Sequence, residues 1–400
     1  MGTIDLDRIN AAVADDGVDA GIKIATELEP LAGDGATVKP AVYSGGRFQV
    51  GRRWWGEGDD RRKVDTITID NVPSQANRLE VALERLRPEL GLPELVLDLT
   101  SLEPLPPHVP RRLSSFRFPH RNADAYLRDA ELGGVAFTKT DIGKAIFAAT
   151  GDNADALVEW FPQALLYGFW QSHLGKKGSQ AKLARSWVSE IIGVEPATGT
   201  DEASLVRVEG TKGDPYNLVR EGNEVVFDEA DTTTWQLKAD SEAKGAKGTR
   251  LSEIGHGQVP VAESERALGG VSFAEIAQQA TVSFSALRRV RTAASEQDRA
   301  LLVALGLVAH SSAFGRAFHL RSGADLRPRS VNVTWLGANG DERVETLDAH
   351  TAIDLFRAAV DAAEKAGSVV GSRWPDPLTL EPKPSLRGAI RNTYPEPDDD

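Results

Sequence analysis

The chain has no cysteine. Disulfides and thiolate metal sites are therefore excluded, and the absence suits a cytosolic protein. No apolar run reaches the length of a membrane span, and the N-terminus lacks a signal-peptide pattern. The seven histidines form no H-x-x-x-H or H-E-x-x-H pair, which argues against a histidine-held zinc. There is no G-x-S-x-G elbow and no internal repeat. GKKGSQAK, beginning at Gly175, lacks the P-loop spacing. No metal, cofactor or catalytic centre is expected. His120, His173 and His256 lie in polar or glycine-rich contexts where a general base for RNA cleavage could sit, although a structural or binding histidine is the commoner case.

Excess positive charge is also missing, because 46 Lys and Arg face 59 Asp and Glu, a net charge of −13. That excludes indiscriminate binding of nucleic acid over the whole surface but leaves room for a groove of clustered cations. Part of the negative charge sits in Glu396–Asp400, an expected disordered tail. With 400 residues and 41% hydrophobic content the chain can bury a large core.

Leu165–Gly193 draws the most attention. An apolar run to Trp170 leads into a basic loop, His173–Gly178, with no acidic residue before Arg185. The spacing of Ala184, Trp187, Val188, Ile191 and Ile192 predicts a helix over Ser179–Ile192. Lys182 and Arg185 fall off its apolar face. With Lys176, they and the helix N-terminus could hold an anion; a solvated basic turn is as good a description.

The remaining chain predicts a helix at Ile4–Asp16 and a half-buried strand at Ile22–Leu28. Ala41–Arg53 and Lys63–Asn71 read as a hairpin whose tip, Arg52–Lys63, joins two tryptophans to five cations. Such mixtures suit single-stranded nucleic acid, and they also suit an ordinary solvated turn. Val72–Leu86 predicts a helix capped by Ser74, with Gln75, Asn77 and Arg78 in its first turn. Glu94–Leu99 is a strand and Lys139–Ala149 a helix. Pro196–Arg250, rich in glycine, threonine and charge, reads as a mobile insertion. Thr281–Phe284 predicts a strand running into a helix with Arg288, Arg289 and Arg291. Arg299–Phe314 predicts a buried helix, Val331–Trp335 a strand, Ala349–Ala363 an amphipathic helix, and Leu378–Leu380 a last strand. The order fits an α+β protein with a split β-α-β-β-α-β sheet of the ferredoxin type.

Several segments together resemble one family. They are VPSQANRLEVAL, FPHRNADAYLRD at Phe118–Asp129, LLYGFWQSHLG with KLARSWVSEIIGV, LSEIGHGQVP, GGVSFAEIAQQATVSFSALRRVR, and RAFHLRSGADLRP. The resemblance is to the RAMP-superfamily backbone subunit of type I-G (formerly I-U) CRISPR–Cas systems, the Cas-seven group, and it runs from about Leu28 to about Leu386. It implies an RRM-like, ferredoxin-like palm with large finger and thumb-like insertions. It implies one elaborated domain over 1–385, with an excursion at 29–71, the insertion at 196–250 and an acidic tail at 386–400. The implied role is non-catalytic and cytoplasmic. Copies would stand head to tail along a crRNA, with other Cascade subunits, while the guide pairs with a target DNA strand. Carried over by the resemblance, the RNA contacts are Ser74, Gln75, Asn77, Arg78, His120, Arg121, Lys176, Lys182 and Arg185, with Arg288 and Arg289 behind them. Arg78 is then expected to serve RNA and not the fold. Trp54 and Trp55 have no match in the family pattern.

Overall fold

The computed structural model describes residues 2–44, 47–172, 181–197, 224–228, 231–238, 248–250, 269–371, 374 and 376–394. In chain order the elements that matter are α1 (Leu6–Val13), β1 (Gly21–Pro30), β2 (Val50–Trp55), β3 (Arg62–Asp70) and α2 (Val72–Leu90). They continue with β4 (Phe169–Gln171), β5 (Ala181–Leu183), β6 (Trp187–Pro196), β7 (Phe273–Ser283), α3 (Ser295–Phe314), β8 (Phe318–Arg321), β9 (Ala324–Leu336) and α4 (Ala349–Lys365).

The main sheet runs β9-β1-β7-β6-β3-β2, with β8 paired to β9, and every one of these neighbours is antiparallel. Taken in sequence, β1-α2-β6-β7-α3-β9 is a β-α-β-β-α-β unit whose spatial order is fourth, first, third, second. This is the mixed α+β, ferredoxin-like palm that was expected. The β2–β3 hairpin extends the sheet beyond β6. Period-two patterning sets the register: Ile22 and Ile24 of β1 lie opposite Val282 and Ala280 on one side, and opposite Trp335 and Val333 on the other. All six are buried, under α2 and α3. α3 is apolar on every side because α1, α2 and α4 also pack around it.

Three expectations change. The helix over Ser179–Ile192 is absent among the described residues; β5 and β6 stand in its place. Trp187 and Ile191 face the core, whereas Ala184 and Val188, expected on a buried helical face, are exposed. A short apolar run satisfies both periods, and here β-branched Val188, Ile191, Ile192 and Val194 fit a strand held between β3 and β7. The strand at Glu94–Leu99 forms, as Leu95–Asp98, but in a second sheet beside Leu378–Pro382. The helix after β7 ends at Leu287, so Arg289 and Arg291 lie beyond it.

In the 196–250 insertion, Glu224–Asp228, Asp231–Leu237 and Thr249–Arg250 form a separate three-stranded sheet. The chain is helical over Pro384–Thr393, past the boundary drawn at 386. LSEIGHGQVP with His256, the loop His173–Gly178, and Glu396–Asp400 lie outside the described residues.

Candidate nucleic-acid interface

The SQANR turn is organised by a carboxylate that no sequence motif announced. Asp70, the last residue of β3, is fully buried. It accepts from Ser74 Oγ at 2.8 Å, Gln75 Nε2 at 2.6 Å, Arg78 Nε at 2.9 Å and Arg321 Nη2 at 3.0 Å. Asn71, not Ser74, caps α2, its side chain accepting from the Ser74 N–H at 3.0 Å. The cap therefore lies three residues earlier than expected, and Asn77 and Arg78 belong to the second turn.

Within this turn, Gln75 and Arg78 serve the fold. Gln75 is buried, and its carbonyl oxygen accepts from Ser189 Oγ at 2.9 Å and Gln278 Nε2 at 2.8 Å, tying α2 to β6 and β7. Arg78 also donates to the His319 and Leu320 carbonyls, at 3.3 and 3.1 Å. Arg321 reaches the Lys39 and Ile69 carbonyls, at 3.1 and 2.9 Å. β8 is thus stapled to the start of α2.

Beside that staple, α2 and the C-terminal end of α3 enclose an open cleft of about 670 Å³. Ser74, Asn77, Arg78, Arg85, Arg316 and His319 line it, and no carboxylate does. Arg85 falls seven residues after Arg78, two turns along the same helix face. Arg316 follows the end of α3, where a cation meets the negative end of the helix dipole. Asn77, Arg85 and Arg316 are exposed, and neither arginine has a carboxylate partner among the described residues. His319 Nδ1 lies 2.7 Å from Asp325. The cleft can therefore offer two free guanidiniums, an amide and the outer edge of Arg78 to an anion.

The other carried-over residues lie elsewhere. Arg121 is on the far side of α2, buried, with φ of 54°. Its guanidinium grips Glu80 at 2.7 and 2.8 Å, donates to the Gly168 carbonyl at 3.1 Å and lies 5.6 Å from the Tyr167 ring. Burial pushes the Glu80 carboxyl up to about 7 although Arg121 opposes the shift. Arg121 is a core cation and not a surface contact. His120 is exposed, with its backbone N–H bonded to Asp124. Lys182, on β5, is exposed with Nζ 5.8 Å from the Trp170 ring; Arg185 is exposed in the connector to β6. Without a helix there, the dipole half of the expected anion cradle has no basis, and Lys176 lies outside the described residues. Arg288 donates to the Ala12 and Asp19 carbonyls beside α1, while Arg289 is exposed.

Sequence reasoning missed Asp70, Arg85, Arg316 and Arg321. The seven-residue step from Arg78 to Arg85 was readable. The pairing of Asp70 with Arg321 was not, because it spans 251 positions.

Among the described residues no group of histidines and carboxylates could hold a metal, and no helix is long and apolar enough to cross a membrane. No curated protein matches the chain. Residues 22–197 match the family model described as CRISPR-associated protein GSU0053. That span opens at β1 and closes at β6, taking in the hairpin, Asp70, the SQANR turn and all of α2. Over residues 22–197, with the palm's first strand, first helix and second strand inside it, this chain is similar to the CRISPR-associated GSU0053 family.

Proposed function

We propose that this protein is a non-catalytic, crRNA-binding backbone subunit of a type I-G Cascade-type complex. Several copies stand head to tail along the guide, in the cytoplasm, with other Cascade subunits alongside. The guide's bases stay free to pair with a target DNA strand. The observation that carries this reading is the carboxylate-free cleft along α2, with Arg85 and Arg316 unpaired among the described residues of a chain whose net charge is −13. Such cations contact phosphate without reading sequence. A repeating filament would align the clefts while the exterior stays acidic.

Repeat-containing RNA incubated with the pure chain, without metal, tests the non-catalytic part. The expected result is bound, intact RNA and a series of large assemblies. Site-specific cleavage that disappears in His120→Ala, His173→Ala or His256→Ala would instead make the chain an endoribonuclease. A clean monomer or dimer free of RNA would point to a small-molecule enzyme.

A further inference from the structure

The β2–β3 hairpin presents two adjacent tryptophans to different surroundings. Trp55 is anchored: its Nε1 donates to Glu275 at 2.9 Å, and its ring packs against the Val64, Ile192, Val194 and Ala277 cluster. Trp54 points the other way, as alternate residues of a strand must, and is 57% exposed. Directly across from it in the ladder is Lys63. The Lys63 Nζ lies 5.2 Å from the Trp54 ring centroid, and the Arg61 guanidinium 5.6 Å. The hairpin's other arginines are engaged by carboxylates: Arg52 by Asp65, Arg53 by Glu190 and Arg62 by Glu195. Arg61 and Lys63 have no such partner among the described residues, and rest at the ring.

We infer that Trp54 is a stacking plate for one unpaired base of a single-stranded nucleic acid, with Arg61 and Lys63 taking the adjoining phosphate. An exposed indole offers a π-face that any base can cover, and a cation beside it meets the phosphate that every nucleotide carries. Glu57, Asp59 and Asp60 in the turn would repel a longer run of phosphates. That confines the plate to about one nucleotide, in contrast to a continuous groove. The inference rests on the RNA-binding reading above but assigns a residue outside the cleft.

The test uses the full chain and two fluorescein-labelled probes, an oligouridylate and an abasic ribose-phosphate oligomer of equal length. Trp54→Ala should weaken oligouridylate binding about tenfold and leave the abasic probe unchanged. Trp54→Tyr should keep most of the affinity. Thermal melting, unchanged for so exposed a ring, confirms the fold. Equal binding of oligouridylate by wild type and Trp54→Ala overturns the plate and leaves the cleft reading standing. So does equal loss on both probes, or a loss that follows weakened self-association of the chain. Failure of the wild type to bind either probe overturns both.

Discussion

Replacing Asp70 by alanine should cost about 3 kcal/mol of stability, close to the lower bound for breaking a buried ion pair from one side. The carboxylate is fully buried and accepts from four side chains. Removing it leaves two guanidiniums facing each other across the space it filled. Both are only 26% exposed, enough for water to temper the penalty but not to cancel it. Gln75, bonded at its other end to Ser189 and Gln278, would lose its donor's partner inside the core. Arg78→Ala should cost less, because Arg321 still neutralises Asp70. It should not be silent, which is where the structure departs from the expectation that Arg78 serves only RNA. Urea denaturation of the two variants measures both. A loss below about 1 kcal/mol for Asp70→Ala, in the range of an ordinary hydrogen bond, would contradict this account of the knot.

Trp187→Ala should be costlier still, at about 3–5 kcal/mol for a buried aromatic. Trp187 is 2% exposed and packs 5.8 Å, centroid to centroid, from His310. α3 approaches it so closely that a Cβ on Gly306 would meet Trp187 Cε3 at 2.6 Å. Glycine at 306 is what lets the helix and the strand come together, and the cavity left by alanine at 187 has little freedom to collapse. His310 is buried against the indole, and burial draws its imidazole down to about 4, so it stays neutral and adds no charge to the cavity. The companion variant is Val188→Ala. On a strand the two neighbours point to opposite faces, and Val188 is 37% exposed, so its loss should stay within about 0.5 kcal/mol. Comparable large losses for both would mean one buried helical face over this segment.

That pair of residues shows what was legible in the sequence and what was not. Local alternation gave β1, 3.6-residue periodicity gave α2 and α4, and a run apolar nearly all round gave the buried α3. β6 was misjudged because Trp187, Val188, Ile191 and Ile192 satisfy the helical template as well as the strand's, and only its ladder partners on β3 and β7 decide. The ferredoxin order was right in outline, yet its second strand was sought at Glu94–Leu99, which belongs to another sheet. The SQANR turn was found. The division of labour within it was hidden, since Gln75 and Arg78 are claimed by partners distant in sequence on β6, β7 and β8. Arg121 looked like a surface cation in a polar segment until Glu80, 41 positions away, closed over it.

The central claim is that the α2 cleft holds guide phosphates, and a salt titration of single-stranded RNA binding tests it most directly. The chains to compare are wild type and the double variant Arg85→Ala, Arg316→Ala, whose side chains are exposed and hold nothing of the fold together among the described residues. Each phosphate of a single strand that the protein ceases to neutralise takes about 0.7 off the slope of log affinity against log salt, so the double variant should be shallower by about 1.4. The drop in affinity should be the same for unrelated RNA sequences. Parallel lines of equal slope would show that these arginines face only solvent, and would contradict the claim.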